Sequence, residues 1–357
     1  GFYGGPAYYI RYGLNNKALS VLFAILISIT YGWIYNSVQA NTLAASLQVF
    51  NLDVSYTGAV VAVLLGIIIF GGINRVAKAS EIIVPIMAVL YIATALFVVI
   101  MNITQFPHVI YTIFSSAFEP VAAGGGLLGA TVMNGIKRGL FSNEAGEGSV
   151  PNAAATAAVN HPVEQGLVQA FGVFLDTFII CTASAFIVLI VGDYSTTGLT
   201  GVALVQHNLE QQLGSWAPTA VAIFIVMFSF SSLIGNYYYG EINISHLTEK
   251  KFYLHLFRIG VIIMTFVGSI ASLDLVWNLA DLFMAFLVLT NISSIVRMGR
   301  TAGLALDDYI KQRKAGIETP VFNRSVLNHT YGIVWWGDGQ TTDSSVPPTP
   351  VENTMEK

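Results

Sequence analysis

Polar residues set into long apolar runs are the parts of this sequence equipped for chemistry. The densest group is Gly139-Leu140-Phe141-Ser142-Asn143-Glu144-Ala145-Gly146-Glu147-Gly148-Ser149. Gly relaxes the backbone, and Ser and Asn hydrogen-bond locally instead of supporting a helix, so the run favours an unwound stretch between two half-helices. Unwinding at membrane depth frees carbonyls that can coordinate a cation and amides that can hold a carboxylate, the way transporters build midplane sites. The plainer alternative is a short interfacial loop with Lys137 and Arg138 at the headgroups.

Other polar positions are sparser. Asn36 and Gln39 are three apart and share a helix face, so both can point into one cavity or simply bond between helices. Ser231 and Ser232 fall mid-run, where paired hydroxyls suit a small monovalent cation, although Ser also bonds back to its own helix. Asp176 is the most isolated intramembrane acid and must be protonated, paired or solvated; it reads as a proton relay or as a brace within the bundle. Asp274 and Asp281 flank Trp277 near another helix end. Gly124-Gly125-Gly126 and Gly146-x-Gly148 lack the preceding strand of a phosphate cradle and read as close helix packing. Six scattered His show no ligand spacing, and no nucleophile elbow, zinc helix or Walker loop is present, so no catalytic or ATP-driven engine is visible and no cofactor is called for.

The elements that must hold these groups are membrane helices. The 357 residues are 54% hydrophobic and only 10% charged, with a mean hydropathy of +0.66; a soluble domain carries about 25% charge. One Cys, Cys181, gives no disulfide pair or Cys-type metal site, and a net charge of -4 without a basic block argues against nucleic acid. Seven stretches meet the roughly 20-residue span requirement: 20–48, 57–73, 80–101, 166–192, 216–240, 255–272 and 275–296. An eighth, 121–160, is broken by the polar run. Placing residues 1–19 inside puts fourteen of sixteen Lys and Arg inside, with 49–56, 102–119 and 193–215 as outer loops. The expectation is a membrane domain over 1–300 and a partly disordered cytoplasmic tail over 301–357, with no indication of oligomeric state.

Four motifs resemble the sodium:alanine (or glycine) symporter family of the amino acid, polyamine and organocation superfamily. The opening Gly-Gly-Pro-Ala-Tyr-Tyr-Ile resembles GGPMYYI, and Asn36 to Thr42 resembles N-x-x-Q-A-N-[ST]. Arg138 to Ser149 resembles R-G-L-F-S-N-E-A-G-L-G-S, and Gly235 to Glu241 resembles G-W-S-Y-Y-G-E, with Val-Trp-Asn-Leu-Ala-Asp at 276–281 alongside. The resemblance implies an all-α, leucine-transporter-like inverted-repeat fold, the eight segments being core helices three to ten. It implies a small neutral amino acid and Na⁺ carried together across the cell membrane. Gln39, Ser142, Asn143, Gly146 and Asn236 would surround the amino acid, and Ser231 and Ser232 would bind sodium. Proton coupling through Asp176 or Glu147 is the runner-up, with Glu144 and Asn36 as further polar groups nearby; a membrane-embedded enzyme would need a nucleophile the sequence does not offer. Glu147 stands where the family has Leu, and Asn236 where it has Trp, which would widen the pocket wall. The family's first two core helices and a leading helix have no counterpart here. The chain is therefore expected to be an N-terminally truncated symporter that alone neither binds nor transports.

Overall fold

The computed structural model describes residues 4–71, 73–117, 127–190, 196–328 and 332–333, with backbone alone at 73–84, 87, 117, 127, 128, 130 and 131. The described residues form helices and no strand. In chain order these are α1 (Pro6–Tyr12), α2 (Lys17–Ile29), α3 (Asn36–Ser46), α4 (Val54–Phe70), α5 (Ile73–Met101), α6 (Phe106–Ala117), α7 (Leu127–Asn143), α8 (Val150–Ala154) and α9 (Pro162–Leu175). They continue with α10 (Thr182–Leu189), α11 (Gly201–Leu213), α12 (Ala217–Leu247), α13 (Lys251–Ile270), α14 (Leu273–Arg297) and α15 (Gly299–Lys314). Six-residue π-helical segments, Thr30–Tyr35 and Asp176–Cys181, join α2 to α3 and α9 to α10 without interrupting the rod.

Five continuous helical stretches among the described residues are long and apolar enough to cross a bilayer: Lys17–Phe50, Pro162–Leu189, Ala217–Leu247, Lys251–Ile270 and Leu273–Arg297. α4 is apolar over 17 residues, and α5 bends by 101° into α6. The protein is a multi-pass membrane protein, and each expected span has its helix. Two expected loops differ: 102–119 contains α6, and 193–215 contains α11. Both carry enough polar residues to fall outside a hydropathy reading yet have an apolar face to bury. The expected tail opens as α15; residues 334–357 and the Gly124–Gly126 triplet lie outside the described residues.

The chain divides into two compact units, Gly1–Leu26 with Glu144–Phe174 and Ala285–Lys357, and Ile27–Asn143 with Leu175–Met284. In the second unit, Leu43, Leu65, Leu233, Ile234, Tyr237 and Val261 bring α3, α4, α12 and α13 together. Helices approach closely where a side chain is missing. A Cβ on Gly32 or Gly240 would lie 2.4 or 2.2 Å from the Phe257 ring, and one on Gly268 would lie 2.3 Å from the Ser37 Cα. Asn41 then caps α13, its amide donating to the carbonyls of Gly268 at 3.1 Å and Ala271 at 2.8 Å, past the last turn of the helix. Outward, α4 presents Val63 and Ile67, as a lipid-facing helix does. Its N-terminus is capped by Asp53, whose carboxylate accepts from the Ser55 and Tyr56 amides; these bonds hold it below the usual carboxylate range.

In the first unit, the Ser20 hydroxyl donates to Ala7 O at 2.6 Å and fastens α2 to α1. The chain after α15 folds back. Gln312 brackets Val321, donating to its carbonyl and accepting from its amide, both at 2.9 Å. This sets Phe322, whose N–H donates to Asn160 O at 3.0 Å, against the ring of the fully buried His161. His161 Nδ1 accepts from Val163 N at 3.2 Å, so its proton sits on Nε2, 3.3 Å from Asp308 Oδ2. Burial pushes the His161 pKa down, against the opposing pull of Asp308.

Candidate functional site

α7 runs helical to Asn143 and then stops. Glu144, Gly146 and Gly148 take left-handed φ values of 54°, 84° and 84°, and α8 begins only at Val150. The unwound stretch is thus Glu144–Ser149, and Gly139 to Asn143, expected within it, are the final residues of the preceding helix. The physical reason is that Ser and Asn at a helix C-terminus cost little, whereas a positive φ ends the α-helix outright. Glu144 is the one non-glycine of the three, and its carboxylate accepts the Ser149 hydroxyl across the turn.

Within the first unit the break is pinned from two sides. Asn291 Nδ2, on α14, donates to Gly146 O at 2.9 Å, and Asn291 Oδ1 accepts from the Tyr9 hydroxyl. Gly148 has no room for a side chain: a Cβ would lie 2.7 Å from Pro6 Cγ, 2.9 Å from Phe23 Cζ and 3.0 Å from Asn291 Cγ. Glu147 is fully buried beside it. Tyr9 and Asn291 escaped the sequence reading, although an Asn inside an apolar span and the Tyr of the opening motif were the available signals.

Within the second unit, the last turn of α7 meets both π-helical segments. Ser142 Oγ donates to Asp176 Oδ2 at 2.7 Å and lies 2.9 Å from Cys181 Sγ; Asn143 Nδ2 donates to Thr177 Oγ1 at 3.1 Å. The Phe141 ring sits 4.8 Å from Tyr35 and 4.6 Å from Trp277. Arg138, one turn earlier, lies 4.1 Å over the Trp277 ring and pairs with Asp281, which Lys137 also reaches at 3.2 Å. Asp281 and Trp277 share a face of α14 at i, i+4. This is a cluster of hydroxyl, amide and carboxylate oxygens beside an aromatic wall. π-helical turns recur at functional sites because they widen the helix and re-aim side chains.

The remaining expected residues fall as follows. Gln39 is half-buried, one turn beyond Tyr35 on the same face, and its amide makes no hydrogen bond among the described residues. Asn36 is fully buried and spends its Nδ2 on Gly32 O at 3.0 Å, a bond within its own helix. Ser231 bonds back to Phe228 O at 2.9 Å; Ser232, beside it on α12, is half-buried, and neither bonds to Ser142, Asn143 or Asp176. Asn236 is buried on the same helix, next to Gly235, where an added Cβ would meet open space.

The model of the sodium:alanine symporter family matches residues 1–324. The chain is 49% identical over 337 residues to "Probable sodium/glutamine symporter GlnT" of Bacillus subtilis (strain 168), covering 94% of this chain and 70% of that protein. It is 48% identical to "Amino-acid carrier protein AlsT" of the same organism, over 94% of this chain and 72% of that one. To "Sodium/alanine symporter AgcS" of Methanococcus maripaludis it is 40% identical, over 82% and 66% respectively.

Proposed function

The chain belongs to the sodium:alanine symporter family, a family of carriers and not of enzymes, and from that premise we propose that it is part of a symporter that moves a small neutral amino acid, alanine or glycine, down a sodium gradient across the cell membrane. The observation that carries this reading is the break itself: α7 ends at Asn143 and the backbone unwinds over Glu144–Ser149 in a protein made of apolar spans. Freed backbone groups at such a point recognise the ammonium and carboxylate of an amino acid and the charge of a cation.

In this reading Gln39 offers its uncommitted amide to the amino acid, and Ser142, Asn143 and Asn236 of the same unit supply polar groups around it, with Gly146 added by the family resemblance alone. The Gly146 carbonyl is held by Asn291, which leaves its amide for the ligand. Ser231 and Ser232 give sodium its hydroxyl ligands, Ser231 exchanging its bond to Phe228 O for the ion. Sodium binding tightens the amino acid, and by reciprocity the amino acid tightens sodium. The excess of Lys and Arg in the loops assigned to one side supports a cytoplasmic tail after α14.

The test is uptake of alanine, glycine and glutamine into proteoliposomes holding the full-length protein, with and without an imposed sodium gradient. Sodium-dependent alanine or glycine uptake is expected. Uptake of glutamine alone moves the substrate to the one named in the GlnT relative, a shift that Asn236 in place of a larger Trp would accommodate. Uptake insensitive to sodium and driven by a pH gradient favours the second reading, proton coupling. That reading draws on one contact, the Ser142 hydroxyl on the Asp176 carboxylate at membrane depth.

A further inference from the structure

α15 has two unlike faces. Asp308 and Gln312 turn inward, toward His161 and Val321. On the outer face Leu306 and Ile310 are 41% and 39% exposed and lie about 40° apart around the helix. Lys314 follows about 40° beyond Ile310, and Arg300 and Lys311 complete the margin about 80–100° away. None of these three cations has a carboxylate partner among the described residues, and Asp307 is the single acid among them. Arg313 is already used, its guanidinium donating to Glu318 O at 2.6 Å to close the helix C-terminus.

This pattern continues a lipid-facing one. The end of α14 exposes Ile292, Ile295 and Val296, the last at 72%, and only Met298 separates α14 from α15. An apolar stripe that leaves a span and acquires a cationic margin has the composition of a helix lying in the plane of the interface. Its charge excess complements one particular surface, that of anionic lipid.

We propose that the outer face of α15 is a binding surface for anionic phospholipid, with Leu306 and Ile310 seated at the acyl boundary and Arg300, Lys311 and Lys314 on the headgroup phosphates. The inner face then transmits where the helix lies. Asp308 and the Gln312-bracketed Phe322 fasten α15 to Asn160 and His161, in the loop between the break and α9. Lipid composition is thereby linked to the segment that follows the break.

The test places Ile310→Trp in the full-length protein in nanodiscs of phosphatidylcholine with or without phosphatidylglycerol, one lipid at a time carrying brominated acyl chains. Emission is taken as the difference from the parent protein. The new indole is expected to be quenched, with brominated phosphatidylglycerol enriched about tenfold around it over phosphatidylcholine, as several juxtaposed cations imply. Adding Arg300→Gln, Lys311→Gln and Lys314→Gln, all exposed and unpaired, is expected to erase the enrichment and keep the quenching. An unquenched, water-exposed indole overturns the proposal. So does equal quenching by both lipids before the triple substitution, or an indole shielded from both lipids and cross-linking to a second copy. None of these readouts depends on transport.

Discussion

The side-chain amide of Asn291 donates to the carbonyl of Gly146 at 2.9 Å while its oxygen accepts from the Tyr9 hydroxyl. One buried residue of α14 thus holds the backbone of the break and a residue of α1 together, although they are far apart in sequence. A carbonyl freed by unwinding would otherwise be an unpaired polar group in an apolar setting.

Replacing Asn291 with Ala should cost about 1–3 kcal/mol, because it strands the Gly146 carbonyl and the Tyr9 hydroxyl together. Tyr9→Phe removes one bond only and should cost about half as much or less. Thermal unfolding of the detergent-solubilised protein measures both; equal midpoints for the parent and Asn291→Ala would show that the pin carries no stability.

Gly148→Ala meets two obstacles, a positive φ costing roughly 1–2 kcal/mol and a Cβ within 3.0 Å of Pro6, Phe23 and Asn291. Gly198 also has a positive φ, 66°, but open space around it. Gly148→Ala should therefore destabilise by about 1–3 kcal/mol more than Gly198→Ala, the difference being overpacking. The pair of unfolding midpoints isolates the steric part.

Sodium coupling and proton coupling separate at two places. Ser231→Ala with Ser232→Ala, which removes both hydroxyl ligands, should raise the sodium concentration for half-maximal uptake by about tenfold or more, each tenfold step corresponding to roughly 1.4 kcal/mol. Asp176→Asn should keep its sodium dependence. The opposite outcome, with the double Ser variant unaffected and Asp176→Asn inactive, would transfer the coupling role to Asp176.

His161 supplies a pH dependence with a definite sign. Burial lowers its pKa in the fold, so the neutral ring stabilises the native state. That contribution is complete above the ordinary value of about 6.5 and is lost as the pH falls through the depressed one. Protonation also takes Nδ1 away from the Val163 amide. His161→Phe keeps a ring against Tyr309 and Phe322 and removes the titration; its unfolding midpoint should fall less than the parent's as the pH is lowered below about 6.5.

The spans were legible because hydropathy is local: a run such as Leu273–Arg297 announces itself. The break was legible because Gly, Ser and Asn cluster in it. Its edge was not, since Ser142 and Asn143 tolerate a helix end as readily as a loop, and only the left-handed φ of Glu144 fixes the boundary. Helices α6, α11 and α15 were hidden by their polar faces. The partners of Asn291 and of Asp281 were beyond reach for another reason: each contact joins residues more than a hundred positions apart, and no periodicity encodes such a meeting.

The π-helical segment Thr30–Tyr35 makes the span from Lys17 to Phe50 two helices in different phase. Each residue of an α-helix turns the next by about 100°, so a wider turn shifts the angular position of everything after it. Leu22 and Ile25 are exposed before the segment, and Asn36, Ser37 and Val38 are buried beyond it. A plain helix of the same length would present a different edge at Gln39. Winding Thr30–Tyr35 as an ordinary α-helix with no residue removed would swing Gln39, Asn41 and their neighbours out of alignment, whereas deleting one residue along with the wide turn would leave them nearly in place. For this span the alignment of its polar residues depends on how one turn winds, to which a hydropathy profile is blind.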